Sequence, residues 1–291
     1  MIAFASNSLL CRAALKQTGI DAASFTFIRI LSGAVALWLI MQIRRGMIVP
    51  APQSSSKGRA GSFSLQEKIR LMDAGNWISA LALFVYAAGF SFAYVDLSAG
   101  TGALLLFGAV QATMILWGLH KGEQLDAIQI VGFVVAVTGL VVLVFPGLSA
   151  PPLIGSILML GAGVAWGTYS LRGKAGRDAI ATTAGNFLRA VPFAAVVSII
   201  LLSRARLDQA GIFYALVSGA ITSGLGYVIW YSALPGLKAA SAATVQLSVP
   251  VIAAAGGILL LSEPITLHYV LASIAILGGI ALVVLEKNRA V

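Results

Sequence analysis

Amides, aromatic rings and two arginines carry the chemical potential of this 291-residue sequence, because they fall inside long apolar runs. Pro250 sits near the middle of one such run and cannot donate to the carbonyl four residues back, that of Gln246. A free carbonyl and an amide side chain then share one level. Broken helices with unpaired backbone are tolerated where they line a cavity, and a plain structural kink is the alternative. Asn7 and Gln111 are likewise amides at the middle of apolar runs, able to donate and accept to an ammonium or a carboxylate. Interhelical glue explains each of them as well as substrate contact does.

The rings fall into groups. Tyr86, Phe90 and Tyr94 recur at helical spacing, Trp166 and Tyr169 lie together, and Tyr227, Trp230 and Tyr231 cluster. Tyr94, Tyr231 and Trp77 sit near the ends of apolar runs, where aromatic residues form interfacial belts. Tyr86, Trp166, Tyr169 and Tyr227 lie deeper, where they either fill the core or wall an apolar pocket. Arg29 and Arg189 each stand roughly two turns inside a run and could pair bidentately with a substrate carboxylate. Their duplication favours structural roles, snorkelling or bonding to nearby carbonyls.

What is missing is as informative. Asp21, Glu67, Asp73, Asp96, Glu123, Asp126, Asp178, Asp208, Glu263 and Glu286 all fall in loops or at the ends of runs. Glu123 and Glu263 read as structural acids at helix ends, and His120 and His268 as interfacial side chains. Proton-coupled carriers usually keep an ionisable group at mid-membrane, so carboxylate-based proton antiport is disfavoured. The sequence has no G-x-x-x-x-G-K-[ST] loop for ATP. Cys11 is its one cysteine, which rules out an internal disulfide and a cysteine-based metal site. No cofactor, metal or catalytic set is expected.

The elements that must position these residues are membrane helices. The chain is 59% hydrophobic and 10% charged, far from the roughly one-quarter charge of soluble domains. Its net charge of +9 is scattered between apolar runs rather than gathered on one face, which argues against nucleic acid as a partner. Windows of about 19 residues place spans at 1–17, 23–43, 74–95, 98–119, 127–145, 153–171, 182–202, 209–233, 238–261 and 267–285. Pro50, Pro52 and the serines beyond them mark a solvated loop over about 44–72, in which 62–72 is either a short surface helix or irregular. Sorting the 19 Lys and Arg by side leaves Arg29 and Arg189 within spans and puts 13 on one face and four, Arg12, Lys16, Arg204 and Arg206, on the other. The positive-inside rule then puts both termini in the cytoplasm.

The two halves also repeat. FTFIRIL around Arg29 matches GNFLRAV around Arg189, and SLLCRAA around Arg12 matches TYSLRGK around Arg172, both displaced by 160 residues. HKGEQL and VTGLVVL match LLSEPI and LGGIALVV at a displacement of 140. Five spans per copy is odd, so the second copy must be inverted. The expected division is 1–145 for the first repeat and 153–291 for the second. The same register places the opening turn of the first helix before Met1, so a shortened or truncated first helix is expected. Gly163-x-x-x-Gly167 is expected to allow close helix packing.

The ten spans, the doubled five-helix unit, the Glu ending spans four and nine with Gly139 or Gly279 about 15 residues on, and Arg29 and Arg189 in spans two and seven resemble the drug/metabolite transporter superfamily, EamA type. The chain is similar to its bacterial inner-membrane exporters of amino acids, the aromatic group included. The resemblance covers nearly the whole chain. Two departures are the short first span and Val110 in span four where span nine has Pro250. The resemblance implies a cavity lined by spans one, three, four, six, eight and nine, which carry Asn7, Tyr86, Phe90, Gln111, Trp166, Tyr169, Tyr227, Trp230 and Gln246, with Pro250 as a kink or gate. The expected fold is therefore all-α and integral to the membrane, ten transmembrane helices as two inverted five-helix repeats. The expected function is secondary export of small metabolites, neutral or aromatic amino acids foremost, by alternating access. Drug-like or nucleoside-like cargo is the alternative. An intramembrane enzyme would need a convergent acid, base or metal set, and a channel would need a charged or carbonyl ring; neither pattern is visible. The expected partners are the substrate and lipid, with a monomer or a weak homodimer.

Overall fold

The computed structural model describes residues 1–48, 74–122, 124–145, 150–173, 178–233 and 245–286. Among them, ten helical spans and no strand follow in chain order: α1 (Ile2–Gln17), α2 (Ala22–Ile48), α3 (Trp77–Ala93), α4 (Ala99–His120), α5 (Ala127–Val144), α6 (Leu153–Gly173), α7 (Ala179–Ile200), α8 (209–233), α9 (Ser248–Leu261) and α10 (Leu267–Glu286). Seven are long and apolar enough to cross a membrane, and α3 and α9 are shorter apolar helices. The fold is an all-helical membrane fold, as the hydropathy pattern requires. The expected surface helix at 62–72, the position of Glu123 and residues 238–244 of the ninth span lie outside the described residues.

Polar residues between the runs start the helices. The Asp21 carboxylate accepts from the amides of Ala23 and Ser24 at the head of α2. Asn76 caps α3, Ser98 caps α4, Asp178 caps α7 and Asp208 caps α8. Asp126 and Gln129 form a reciprocal capping box on α5. Several acids placed at helix ends by the sequence are thus occupied in satisfying helix-terminal amides, each cap contributing about 1 kcal/mol.

Helix packing obeys a two-fold rule. α2 packs on α7, α4 on α9 and α5 on α10, each helix meeting its own counterpart, while α3 on α6 is mirrored by α1 on α8 and α4 on α6 by α1 on α9. Glycines set the close approaches. A Cβ on Gly139 would stand 2.9 Å from Ala275 and Ile276 side chains, and one on Gly279 would stand 2.6 Å from the Ala136 amide. Those pairings are the same contact, seen from each half, at the 140-residue displacement. A Cβ on Gly163 would stand 2.6 Å from the Leu106 carbonyl of α4, so the expected small-residue face does seat α6 on α4.

α8 is not uniform. Gln209–Val217 is α-helical, Ser218–Leu225 winds as a π-helix and Gly226–Ala233 returns to α. The segment Ser-Gly-Ala-Ile-Thr-Ser-Gly-Leu is rich in small residues. π segments are rare and occur often at functional sites.

Candidate functional site

Tyr86 on α3 is the hub of a buried polar group. Its hydroxyl accepts from Arg29 Nη2 of α2 at 3.0 Å and from Asn7 Nδ2 of α1 at 3.5 Å. Asn7 Oδ1 in turn accepts from the hydroxyls of Ser218 and Thr222, the latter at 3.2 Å. Arg29 Nε donates to Ser223 Oγ at 3.4 Å. The π-helix widens the turn of α8 so that Ser218, Thr222 and Ser223 all face α1 and α2. Gly219 permits the approach, because a Cβ there would stand 2.1 Å from the Arg29 carbonyl oxygen.

Rings enclose this group. Trp166 of α6 stacks on Tyr169 and on Tyr227 of α8, with centroids 5.4 and 5.1 Å apart, and tilts against Tyr86 at 4.8 Å. Phe90 lies 5.6 Å from Tyr86, and Phe4 of α1 joins Trp166, Tyr227 and Trp230. Tyr86, Phe90, Trp166, Tyr169 and Tyr227 are all buried. Of the residues singled out from the sequence, Asn7 and these five converge, and Trp230 touches the cluster through Phe4. Gln111 is buried on α4, Gln246 is half-buried, and neither shares in these hydrogen bonds and ring contacts. Leu247 keeps near-helical backbone angles (φ -63°, ψ -19°) between the helical residues 245–246 and α9, so Pro250 stands in the first regular turn of α9 with no amide to donate back toward Gln246.

Arg29 departs from expectation. It does not snorkel to an interface but is 2% exposed within the cluster. Ion pairs among the described residues join Arg12 to Glu263 and Arg44 to Asp178, and no carboxylate pairs with Arg29. Its charge rests on ring faces, with the guanidinium carbon 4.8 Å from the Phe90 centroid and 5.4 Å from that of Tyr86. Such contacts return about 2 kcal/mol when desolvated, against a burial penalty of several kcal/mol for an unpaired ion. Nη1 has no hydrogen-bond partner. Arg189, its equivalent in the second half, is differently placed. Arg189 Nη1 donates to the carbonyls of Ala74 at 2.7 Å and Gly185 at 3.1 Å, which is the structural role expected for it.

A second polar group closes the bundle at the end that carries the α3–α4 turn. Arg12 Nη1 donates to the carbonyls of Tyr94 and Val95, and its Nε donates to Glu263 Oε1 at 3.1 Å. Glu263 Oε2 also accepts from Ala99 N at 2.8 Å, the first amide of α4. Ser262, in the left-handed conformation (φ 51°), turns the chain so that Glu263 N bonds back to Gly257 O. Glu263 is thus more than a helix-end acid, since it ties α9 to α1 and α4. Tyr94 is no belt residue either: it is fully buried, and its hydroxyl donates to the Ala99 carbonyl at 3.2 Å. A cavity of about 210 Å³ opens beside this latch, with Asp96, Glu263, His268 and Tyr269 on its wall.

Sequence reasoning missed Phe4, Ser218, Thr222 and Ser223. Serine and threonine in an apolar run read as packing residues, and only the crowding of Gly and Ser over 218–224 hinted at an irregular turn.

The EamA-like transporter family model matches residues 153–285. An uncharacterized protein of Pseudomonas aeruginosa is 54% identical over 287 residues, covering 99% of this chain and 92% of its own length. An uncharacterized transporter of Archaeoglobus fulgidus is 27% identical, covering 72% of this chain and 78% of that one. The uncharacterized transporter YoaV of Bacillus subtilis is 24% identical, covering 88% and 85%. Among solved structures, a crystal structure superposes with a TM-score of 0.62 at 15% identity, covering 99% of this chain and 98% of that one, a likeness of fold alone.

Proposed function

Since the chain belongs to the EamA-like transporter family, we propose that it is a secondary exporter of small amphipathic metabolites, neutral or aromatic amino acids foremost, in the bacterial inner membrane. The observation that carries this reading is the cluster around Tyr86, because it is built from both halves of the chain: α1, α2 and α3 from one, α6 and α8 from the other. Residues 1–145 and 153–291 rock as two inverted repeats. The tilted contact of Tyr86 with Trp166, which is itself stacked on Tyr227, holds them together at the centre, and the Arg12–Glu263 latch holds them at one end. Separating the stack exposes ring faces, an amide and three hydroxyls, a surface suited to an aromatic or aliphatic body with a polar head. Both termini lie on the cytoplasmic side in this account.

Among the described residues no carboxylate joins the central group, which favours transport without a titrating acid there. The test is efflux of radiolabelled Trp, Phe, Thr and Met from proteoliposomes with and without a pH gradient. Saturable flux indifferent to the gradient is the expected result. Flux that follows the gradient overturns the uncoupled mechanism, and failure of all four amino acids shifts the substrate to drug-like or nucleoside-like compounds.

A further inference from the structure

Arg29 is the one buried cation of the central cluster, and the structure gives it ring faces and two hydroxyls where a buried guanidinium normally has an acid. We propose that Arg29 is the carboxylate-binding residue of the transport site, so that the substrate is a monocarboxylate with an apolar or aromatic body. This rests on the transporter reading and narrows it.

Three observations converge. The Nη1 of Arg29 is buried with no partner, while Nη2 is spent on the Tyr86 hydroxyl and Nε on Ser223. Nη1 and Nη2 together present the planar fork that a carboxylate meets with two parallel hydrogen bonds, at the loss of one bond to Tyr86. Second, the repeat supplies its own control: Arg189, at the equivalent position, has Nη1 on two backbone carbonyls and so serves the fold. A structural need shared by both halves would give both arginines the same partners. Arg189 also stands over a ring, that of Trp77 at 6.0 Å, but Arg29 lies over two, Tyr86 and Phe90, with the π-turn of α8 beside it and its Nη1 given no carbonyl. Third, the groups around Arg29 are neutral. The Tyr86 and Tyr227 hydroxyls, Asn7, Ser218, Thr222 and Ser223 can orient a polar head, but none can neutralise the charge. The arriving carboxylate does. With no acid in the cluster, a substrate ammonium would be met by the Asn7 carbonyl oxygen and by the faces of Tyr227 and Trp166.

The preference is read by equilibrium binding of phenylalanine, phenylacetate and phenylalaninamide to the purified full chain in detergent, followed by tryptophan fluorescence. Phenylalanine and phenylacetate are expected to bind, with the amide weaker by about tenfold or more, as loss of a charge-assisted pair implies. Arg29→Gln is expected to level the three ligands, Arg29→Lys to keep part of the preference and Arg189→Gln to leave it intact. The comparison of acid with amide on the unaltered chain stands even where a variant fails to fold. Amide binding equal to that of the acids, no binding of either carboxylate, or an acid preference that survives Arg29→Gln overturns the proposal. Flux of phenylalaninamide in proteoliposomes that is unchanged by Arg29→Gln would do so while leaving the transporter reading standing.

Discussion

Arg12 Nε lies 3.1 Å from Glu263 Oε1 across 251 residues of chain, and the two side chains are 12% and 6% exposed. The carboxylate's other oxygen accepts from Ala99 N, so this single acid holds α1 and α4 of the first half against the end of α9 in the second.

Removing one partner leaves a mostly buried charge, a change that costs about 3–5 kcal/mol where a buried pair is broken. Arg12→Ala and Glu263→Ala are both expected to lower the melting temperature in detergent markedly. Glu263→Gln keeps an acceptor for Ala99 N and is expected to be the milder change. Arg12→Ala combined with Glu263→Gln is expected to cost less than the sum of the two, since they remove one interaction. Additive losses would show that the bridge contributes nothing beyond its separate hydrogen bonds.

The α5–α10 seam offers a neighbouring pair of glycines with opposite expectations. A Cβ on Gly279 would stand 2.4 Å from the Gly132 carbonyl oxygen, whereas one on Gly278 meets nothing within 4 Å. Gly279→Ala is therefore expected to destabilise by about 1–3 kcal/mol, the range for overpacking. Gly278→Ala is expected to be neutral or slightly stabilising through helix propensity. Thermal unfolding of both variants in detergent checks the contrast; equal melting temperatures would mean that the helices do not touch at Gly279.

Asn7 joins α1, α3 and α8 by accepting from Ser218 and Thr222 and donating to Tyr86. Asn7→Ala removes the acceptor of the Ser218 hydroxyl and one of two acceptors of the Thr222 hydroxyl, which still reaches the Ser218 carbonyl at 2.8 Å, and is expected to cost about 1–3 kcal/mol of stability. Asn7→Asp keeps the acceptor and loses the donor, and it adds an acid near Arg29. It is expected to fold, and under the carboxylate account to weaken phenylalanine binding by occupying the guanidinium.

Asp21 supplies a pH signature. Partial burial raises its pKa, but hydrogen bonds from the Ser24 side chain and the amides of Arg206, Ser24 and Ala23 outweigh burial and hold it below the ordinary 3.8. A carboxyl depressed in the folded state stabilises fully above its unfolded pKa and loses that contribution as pH falls through the folded value. Asp21→Asn is expected to lower the melting temperature at neutral pH and to narrow the gap to the parent as pH falls below about 4. A gap constant from pH 7 to pH 3 would show that these bonds add nothing to stability.

Much of this architecture was legible because lipid imposes a simple rule: apolar runs of fixed length, with Pro, Ser and charge between them. The ten spans and the seating of α6 on α4 through Gly163 followed from that. Asn7, Tyr86, Trp166, Tyr169 and Tyr227 were readable as polar or aromatic residues at depth. Tyr94 stands at the end of its helix yet is fully buried, a depth that position along the run does not give, because the α3–α4 turn folds over it and Gly102 leaves room for its ring. Arg29 was read as equivalent to Arg189 because repeats fix position but not partners. Ser218, Thr222 and Ser223 were signalled only by the crowding of Gly and Ser around them, since a π-turn depends on tertiary contacts that periodicity does not encode. Gln111 and Gln246 met the same sequence criterion as Asn7, but the hydrogen bonds and ring contacts of the cluster do not include them.

The most direct test of the central claim is counterflow of radiolabelled phenylalanine into proteoliposomes preloaded with unlabelled phenylalanine, comparing the unaltered chain with Trp166→Ala, Tyr227→Ala and the exposed Trp77→Ala. A transport site formed where the two halves stack predicts saturable uptake in the parent and in Trp77→Ala, and about a tenfold or greater fall in each of the other two variants that still fold. Undiminished counterflow in well-folded Trp166→Ala and Tyr227→Ala would contradict the account and place the pathway elsewhere in the bundle.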